Sequence, residues 1–336
     1  MNRLLKFFVL GLLVASCSKP ESGVEIYQGE ALGTTYQIKY FSDKDLNFQS
    51  SLDSIFEVIN ASMSTYITKS DISRINRGET GVEVDMHFKK VFEASEKIYQ
   101  ESNGYFDPTV GTLVNAYGFG PEDKLKEIDS TRLDSLRKLV GFEKVRLTQS
   151  NTIEKEHPGI YLDFNAIAKG YTIDVIADHL SQNGVDNFLI ELGGELRAKG
   201  KNIENDASWI VGIDDPGQQA GNRTLIAKIK LENVGMATSG NYRKYRVDSV
   251  SGQQYVHTIN PSTGKATRSN MLSATVIAEN CMLADGYATA FMALGFERSS
   301  EMLKEVQGIS VYFIYSDENG ENKTYVSPGT ENKLVD

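Results

Sequence analysis

Apolar residues change period along this chain without settling into a rhythm, and that constrains the fold more than any single motif does. Leu52, Ile55, Phe56 and Ile59 fall at helical spacing within 46–63, and Val91, Phe92, Ser95, Ile98 and Tyr99 repeat it within 88–102. Thr224 to Leu231 instead alternates, so that Leu225, Ala227, Ile229 and Leu231 share one face of a strand. Residues 187–192 read as a buried strand closed by Gly193-Gly194, and 272–278 and 311–315 read as further strands. Ser70 is placed to cap a short helix, and Asn183-Gly184 stops a helix that runs over 166–181. Strands at 145–147, 160–162 and 255–259, a polar helix within 121–139 and an alanine-rich helix over 284–294 complete the reading. Helices and antiparallel-type strands mixed in this way predict an α+β fold rather than a doubly wound parallel sheet.

The ends and the charge narrow the setting. Arg3 and Lys6 precede a short apolar run, and small residues Ala15 and Ser16 stand before Cys17. That pattern reads as a signal peptide over 1–16, with Cys17 as a lipidated N-terminus and 17–24 as a flexible tether. The expectation is a globular domain over 25–336, exported and lipid-anchored to a membrane, on the periplasmic side in a Gram-negative cell. The formal net charge is −10, and removing Arg3 and Lys6 makes it −12. An acidic chain without a basic block argues against a nucleic-acid partner. Only Cys281 remains beside Cys17, so no disulfide framework or cysteine metal cluster is expected.

Residues that carry chemistry gather in a few segments. Asp163 stands where a short strand hands over to a turn, and Lys169 follows on the first turns of a helix. An acid, a run of turn amides and a lysine at a helix start compose an anion site. The alternative is an ordinary strand-to-helix junction with a solvated lysine. Asp285 and Thr289 are one helical turn apart and present two hard oxygens, which suit Mg²⁺. The alternative there is an N-cap aspartate and an inward threonine. His257 lies just before the turn 260–264 and can project into a cleft or hydrogen-bond within the core. Tyr66, Tyr105 and Phe106 can stack on a planar ring or fill the core.

Taken in order, these segments resemble the ApbE family of FAD:protein FMN transferases. The resemblance is carried by Gly33-Thr-Thr-Tyr36, Met63-Ser-Thr-Tyr66, Phe106-Asp-Pro-Thr-Val-Gly111, Tyr117-Gly-Phe-Gly120 and Asp163-Phe-Asn-Ala-Ile-Ala-Lys-Gly170. It continues through Glu191-Leu-Gly-Gly194, Ala237-Thr-Ser-Gly-Asn-Tyr242, His257-Thr-Ile-Asn-Pro-Ser-Thr-Gly264 and Ala284-Asp-Gly-Tyr-Ala-Thr289. It implies two similar lobes around a flavin cleft, FAD as substrate and Mg²⁺ as cofactor. It also implies transfer of FMN to a threonine of an acceptor protein, with release of AMP. Carried over by position, Asp285, Thr289 and the Ala166 carbonyl would hold the metal. Leu32, Tyr66, Tyr105, Phe106, Asp107, Asp163, Lys169 and His257 would contact FAD, with His257 and Asp285 leading as the base. The acceptors implied are proteins with a Ser/Asp-x-x-Thr-Ser/Ala-Thr segment, subunits of membrane redox pumps. An FAD pyrophosphatase and a non-catalytic flavin-binding lipoprotein are the other readings. The chain departs from the family's pattern at Asn260, at Lys265-Ala266 and at Gly286, where the helix start is expected to be looser.

Overall fold

A computed structural model describes residues 23–122, 125, 128–218, 224–240, 245–247, 254–256, 258–266 and 269–335, with backbone alone at 245–247 and 254–256. The expected signal peptide and Cys17 lie outside the described residues. The chain opens with strands β1 (Gly23–Ala31) and β2 (Thr34–Ser42), then helices α1 (Phe48–Met63), α2 (Asp71–Asn76), α3 (Met86–Glu101), α4 (Gly111–Ala116) and α5 (Ser130–Arg137). Next come β3 (Val145–Leu147), β4 (Ile153–Lys155), α6 (Ala168–Gln182), β5 (Phe188–Leu192), β6 (Glu195–Lys199), β7 (Trp209–Asp214), β8 (Leu225–Leu231) and β9 (Val234–Gly240). The short pair β10 (Tyr245–Val247) and β11 (Gln254–Val256) precedes β12 (Met271–Ala278), α7 (Cys281–Leu294), α8 (Phe296–Met302), β13 (Ser310–Ser316), β14 (Asn322–Val326), α9 (Pro328–Glu331) and β15 (Leu334–Val335).

The fold is α+β, as the mixed periods predict. One eight-stranded sheet runs in the order β1-β2-β5-β6-β9-β12-β13-β14, and every neighbouring pair in it is antiparallel. The sheet is continuous from one edge to the other, so it does not itself draw the two-lobe division that the resemblance implies. Helices α1, α6 and α7 cover one face. The small sheet β15-β8-β7 covers part of the other, where Trp209, Ile213, Ile229 and Leu231 pack on Leu196, Met236 and Ile277. Strand β12 is therefore buried on both faces, which explains its unbroken run of small and apolar residues. Ala284, Ala288 and Ala290 on α7 are fully buried, and their small side chains bring that helix close to β9 and β12.

Several sequence expectations hold and several shift. Ser70 caps α2, accepting from the Ser73 amide at 3.2 Å. The 160–162 segment makes a single bridge, Tyr161 beside Val110, rather than a strand. Gly23 and Val24, expected in the tether, belong to β1, and the rest of the expected tether lies outside the described residues. Of the 121–139 stretch, helix is present over Ser130–Arg137. Asn260 closes its turn with its own side chain, accepting from the Thr263 amide at 3.1 Å. Gly286 does not loosen α7: a Cβ there would lie 2.5 Å from Ile98 Cδ1, so glycine permits α3 to press against the helix.

Candidate active site

The strand-to-helix turn at 161–170 is fixed by its own backbone. The Asp163 amide donates to the Pro108 carbonyl at 2.8 Å, which ties the segment to the loop before α4. Asp163 Oδ1 accepts from the Asn165 amide at 2.7 Å and turns the chain. Phe164 and Ile167 are buried on either side of the exposed Asn165, and Phe164 meets Phe88 of α3 edge-on at 5.1 Å. Half-buried Asp163 has its carboxyl raised above the usual range by burial, against the lowering pull of Asn165.

Helices α6 and α7 meet at Gly170. A Cβ at this position would fall inside contact distance of the Cys281 carbonyl and 2.9 Å from Asp285 Cβ, so only glycine permits the approach. At the contact, the Gly170 amide donates to Asp285 Oδ2 at 3.0 Å. In a regular helix that amide would bond the carbonyl four residues back, which belongs to Ala166. Among the described residues no other backbone amide bonds the Ala166 carbonyl. Thr289 stands one turn further along α7, half-buried.

Asp285 is not an N-cap. Asn280 caps α7, accepting from Leu283 at 2.9 Å. Asp174 of α6 takes the next free amides, Cys281 at 2.9 Å and Met282 at 2.8 Å. Burial pushes Asp174 up to about 6 although those two amides oppose the shift. Asp285 lies one turn inside, 3% exposed.

Lys169 reaches both this carboxylate and a second one. Its Nζ lies 3.2 Å from Glu195 Oε1 and 3.8 Å from Asp285 Oδ2. Burial works against the ammonium, but Asp285 and then Glu195 outweigh it, so the Lys169 pKa is raised. Asp285 is raised too, because burial and Glu195 together exceed the lowering by Lys169. Glu195 at the start of β6 is 6% exposed, and among the described residues its Oε2 has no hydrogen-bond partner. Sequence reasoning stopped at Gly194 and missed it. The available signal was a carboxylate opening a strand of buried residues directly after a double glycine.

The other expected contacts divide. Tyr66 is 62% exposed and near Asp163: its phenol is raised by partial burial and then by that carboxylate. Leu32 and Gly33 form the two-residue turn between β1 and β2, with φ of 51° and 74°. Such turns favour Asn-Gly, so leucine here carries about 1 kcal/mol of backbone strain. Tyr105 instead faces α8, where Arg298 Nη1 donates to its hydroxyl at 2.5 Å. Phe106 is in the main core. Asp107 is buried and accepts from the Thr109 amide at 2.7 Å and hydroxyl at 2.6 Å, and burial pushes it up to about 6. The Asp107 side chain thus helps to shape the turn that supplies the Pro108 carbonyl to Asp163. His257 falls outside the described residues.

Lys169, Glu195 and Asp285 therefore come together from α6, β6 and α7. The sequence pattern that defines the ApbE family matches residues 32–313. The chain belongs to the ApbE family. An FAD:protein FMN transferase from Haemophilus influenzae is 36% identical over 323 residues, covering 93% of this chain and 92% of that one. Among solved structures, the flavin transferase ApbE from Vibrio cholerae superposes with a TM-score of 0.82 at 33% identity, covering 93% of this chain and all of that one. The apo flavinyl transferase ApbE of Pseudomonas stutzeri gives 0.80 at 28% identity, with 92% and 96% covered. Among the described residues no three or more His, Cys, Asp or Glu side chains cluster to hold a metal. An ApbE-family site on Asp285 would draw instead on one carboxylate, the Thr289 hydroxyl and the Ala166 carbonyl. That hard-oxygen set fits Mg²⁺, which commonly takes one or two carboxylates and leaves its remaining positions to water and substrate phosphate.

Proposed function

We propose that this chain is a Mg²⁺-dependent FAD:protein FMN transferase that joins FMN to a threonine of an acceptor protein and releases AMP. The observation that carries the reading is the covered cluster in which Asp285 accepts from the Gly170 amide and stands beside Lys169, itself paired with Glu195. The threonine oxygen attacks the FMN phosphorus, the bridge oxygen leaves with AMP, and the hydroxyl proton passes to a base. Charge grows on the bridging and leaving oxygens, so fixed positive charge accelerates the step. Lys169, held charged by Asp285 and Glu195, supplies such a charge. A bound Mg²⁺, held by Asp285, Thr289 and the Ala166 carbonyl, would neutralise the pyrophosphate and act as a Lewis acid there. Asp285 is already engaged by Gly170 and Lys169, which favours a holding role for it and leaves the proton to His257. Tyr66, Leu32 and Asp163 would receive the flavin or adenine.

The acceptor would carry a Ser/Asp-x-x-Thr-Ser/Ala-Thr segment and belong to a membrane redox pump. Cys17 would tether the enzyme to the membrane by lipid. The purified chain, FAD, Mg²⁺ and a small acceptor with that segment test the reading in one incubation. A mass gain of one FMN on the acceptor, abolished by EDTA, is expected. AMP release without a mass gain would replace the transferase with an FAD pyrophosphatase, and neither product would overturn both.

A further inference from the structure

Helix α2 has six residues, too few to be stable alone, so its place depends on what fastens it. Its N-terminal side grips the segment before Tyr66. Ser70 Oγ donates to the Ser64 carbonyl at 2.7 Å, and Ser73 Oγ lies 3.3 Å from the same oxygen and 3.5 Å from the Thr65 carbonyl. Its C-terminal side grips the segment before Asp163. Asn76 pairs with the Leu162 backbone in both directions, Nδ2 to the carbonyl at 2.9 Å and Oδ1 from the amide at 2.8 Å. Asn165 closes the ring, its Nδ2 3.5 Å from Thr65 Oγ1.

Lys155, at the end of β4, joins these parts. Its Nζ donates to the Ile75 carbonyl at 2.9 Å and lies 3.5 Å from that of Asn76, both at the C-terminal end of α2. It also donates to Pro158 at 3.1 Å and Ile160 at 2.8 Å, in the run that leads to Asp163. No carboxylate of the described residues pairs with it in an ion pair, and burial pushes its pKa down to about 8. A cation so placed also suits the negative end of a helix.

We infer that α2 is a bracket that sets Tyr66 against Asp163, and that Lys155 is the positioning residue fastening it, a built-in cation in a cage of four carbonyl oxygens. Lys155 then acts on flavin binding without touching the flavin. The inference rests on the reading that Tyr66 and Asp163 receive FAD.

Carbonyl cages of this kind also take small monovalent cations. The experiment is FAD affinity of the full chain, by flavin fluorescence in choline chloride, for wild type and Lys155→Ala. Lys155→Ala is expected to bind FAD about tenfold more weakly, and ammonium chloride is expected to restore most of the loss by entering the emptied cage. Tyr66→Ala and Asp163→Asn are expected to weaken binding with no response to ammonium. FAD binding by Lys155→Ala within about twofold of wild type, or a loss that ammonium does not reverse, overturns the inference. If Tyr66→Ala and Asp163→Asn both bind FAD as wild type does, the flavin wall itself is refuted, and the bracket's role with it. Should Lys155→Ala fail to fold, Asn76→Ala releases the same segment without opening the cage; unchanged FAD affinity in that variant refutes the bracket.

Discussion

The two sides of the proposed site are built from different materials. Where α6 meets α7, charged side chains press on one another under cover: Lys169 between Glu195 and Asp285, with half-buried Asp174 on the same helix as Lys169. Around α2, the ties run between hydroxyls, an amide side chain, one ammonium and backbone carbonyls, and the ring they support, Tyr66, is largely in solvent. Buried charges raise the strength of an electrostatic interaction and the penalty for breaking it. A backbone-tied wall gives shape with little field. The difference matches the two halves of the proposed substrate, a multiply charged pyrophosphate and flat rings.

Four changes test that contrast, from the largest effect to the smallest. Asp285→Asn keeps the shape but halves the charge pair. It is expected to lower Mg²⁺-dependent transfer by about a thousandfold while FAD affinity without metal changes little. Transfer at wild-type rate would detach chemistry from the charged side. Gly170→Ala forces a methyl into the Cys281 carbonyl and Asp285, and thermal unfolding should show a loss of about 2–3 kcal/mol. Wild-type stability would mean that the helices part easily.

Asp107→Asn probes the turn beneath the wall. Asp107 is raised to about 6 in the fold from its ordinary 3.8. A raised carboxyl contributes most below its unfolded value, and that contribution is lost as pH rises through the folded value. Asp107 therefore makes the wild type less stable at pH 7 than at pH 4, by about 2–3 kcal/mol. Stability curves of the two proteins should converge in slope above pH 7 and diverge between 4 and 6; parallel curves across that window would refute the shift. Leu32→Asn relieves the positive φ at the hairpin tip and should stabilise the chain by about 1 kcal/mol while weakening FAD binding. Stability gained with no loss of affinity would remove Leu32 from the wall.

Much of the frame was legible. The period-two face of Leu225, Ala227, Ile229 and Leu231 turns its last two residues into the core, and Ser70 caps where its chemistry predicts. Asp285 and Lys169 were legible as chemistry, though their meeting across α6 and α7 depends on a glycine far from Asp285 in sequence. What stayed hidden are groups whose meaning arises only in tertiary contact. Glu195 resembles a solvated residue after a turn until β6 is placed beneath Lys169. Lys155 resembles an edge-strand lysine until two separate segments aim carbonyls at it. Phe106 lies in the main core and Asp107 bonds into its own turn, placements that residue type alone does not reveal.

The β1–β2 hairpin sets a distance. Nine residues of β1 separate Gly23 from the Leu32 tip, and at about 3.4 Å per residue they span roughly 30 Å. With the anchor proposed at Cys17, the chain would enter the domain at one end of an edge strand, and that strand would run its full length before delivering Leu32. The hairpin would then serve as a ruler between tether and tip, and lengthening or shortening 17–22 would change which acceptor threonines come within reach of a membrane-bound enzyme without altering its catalysis in free solution.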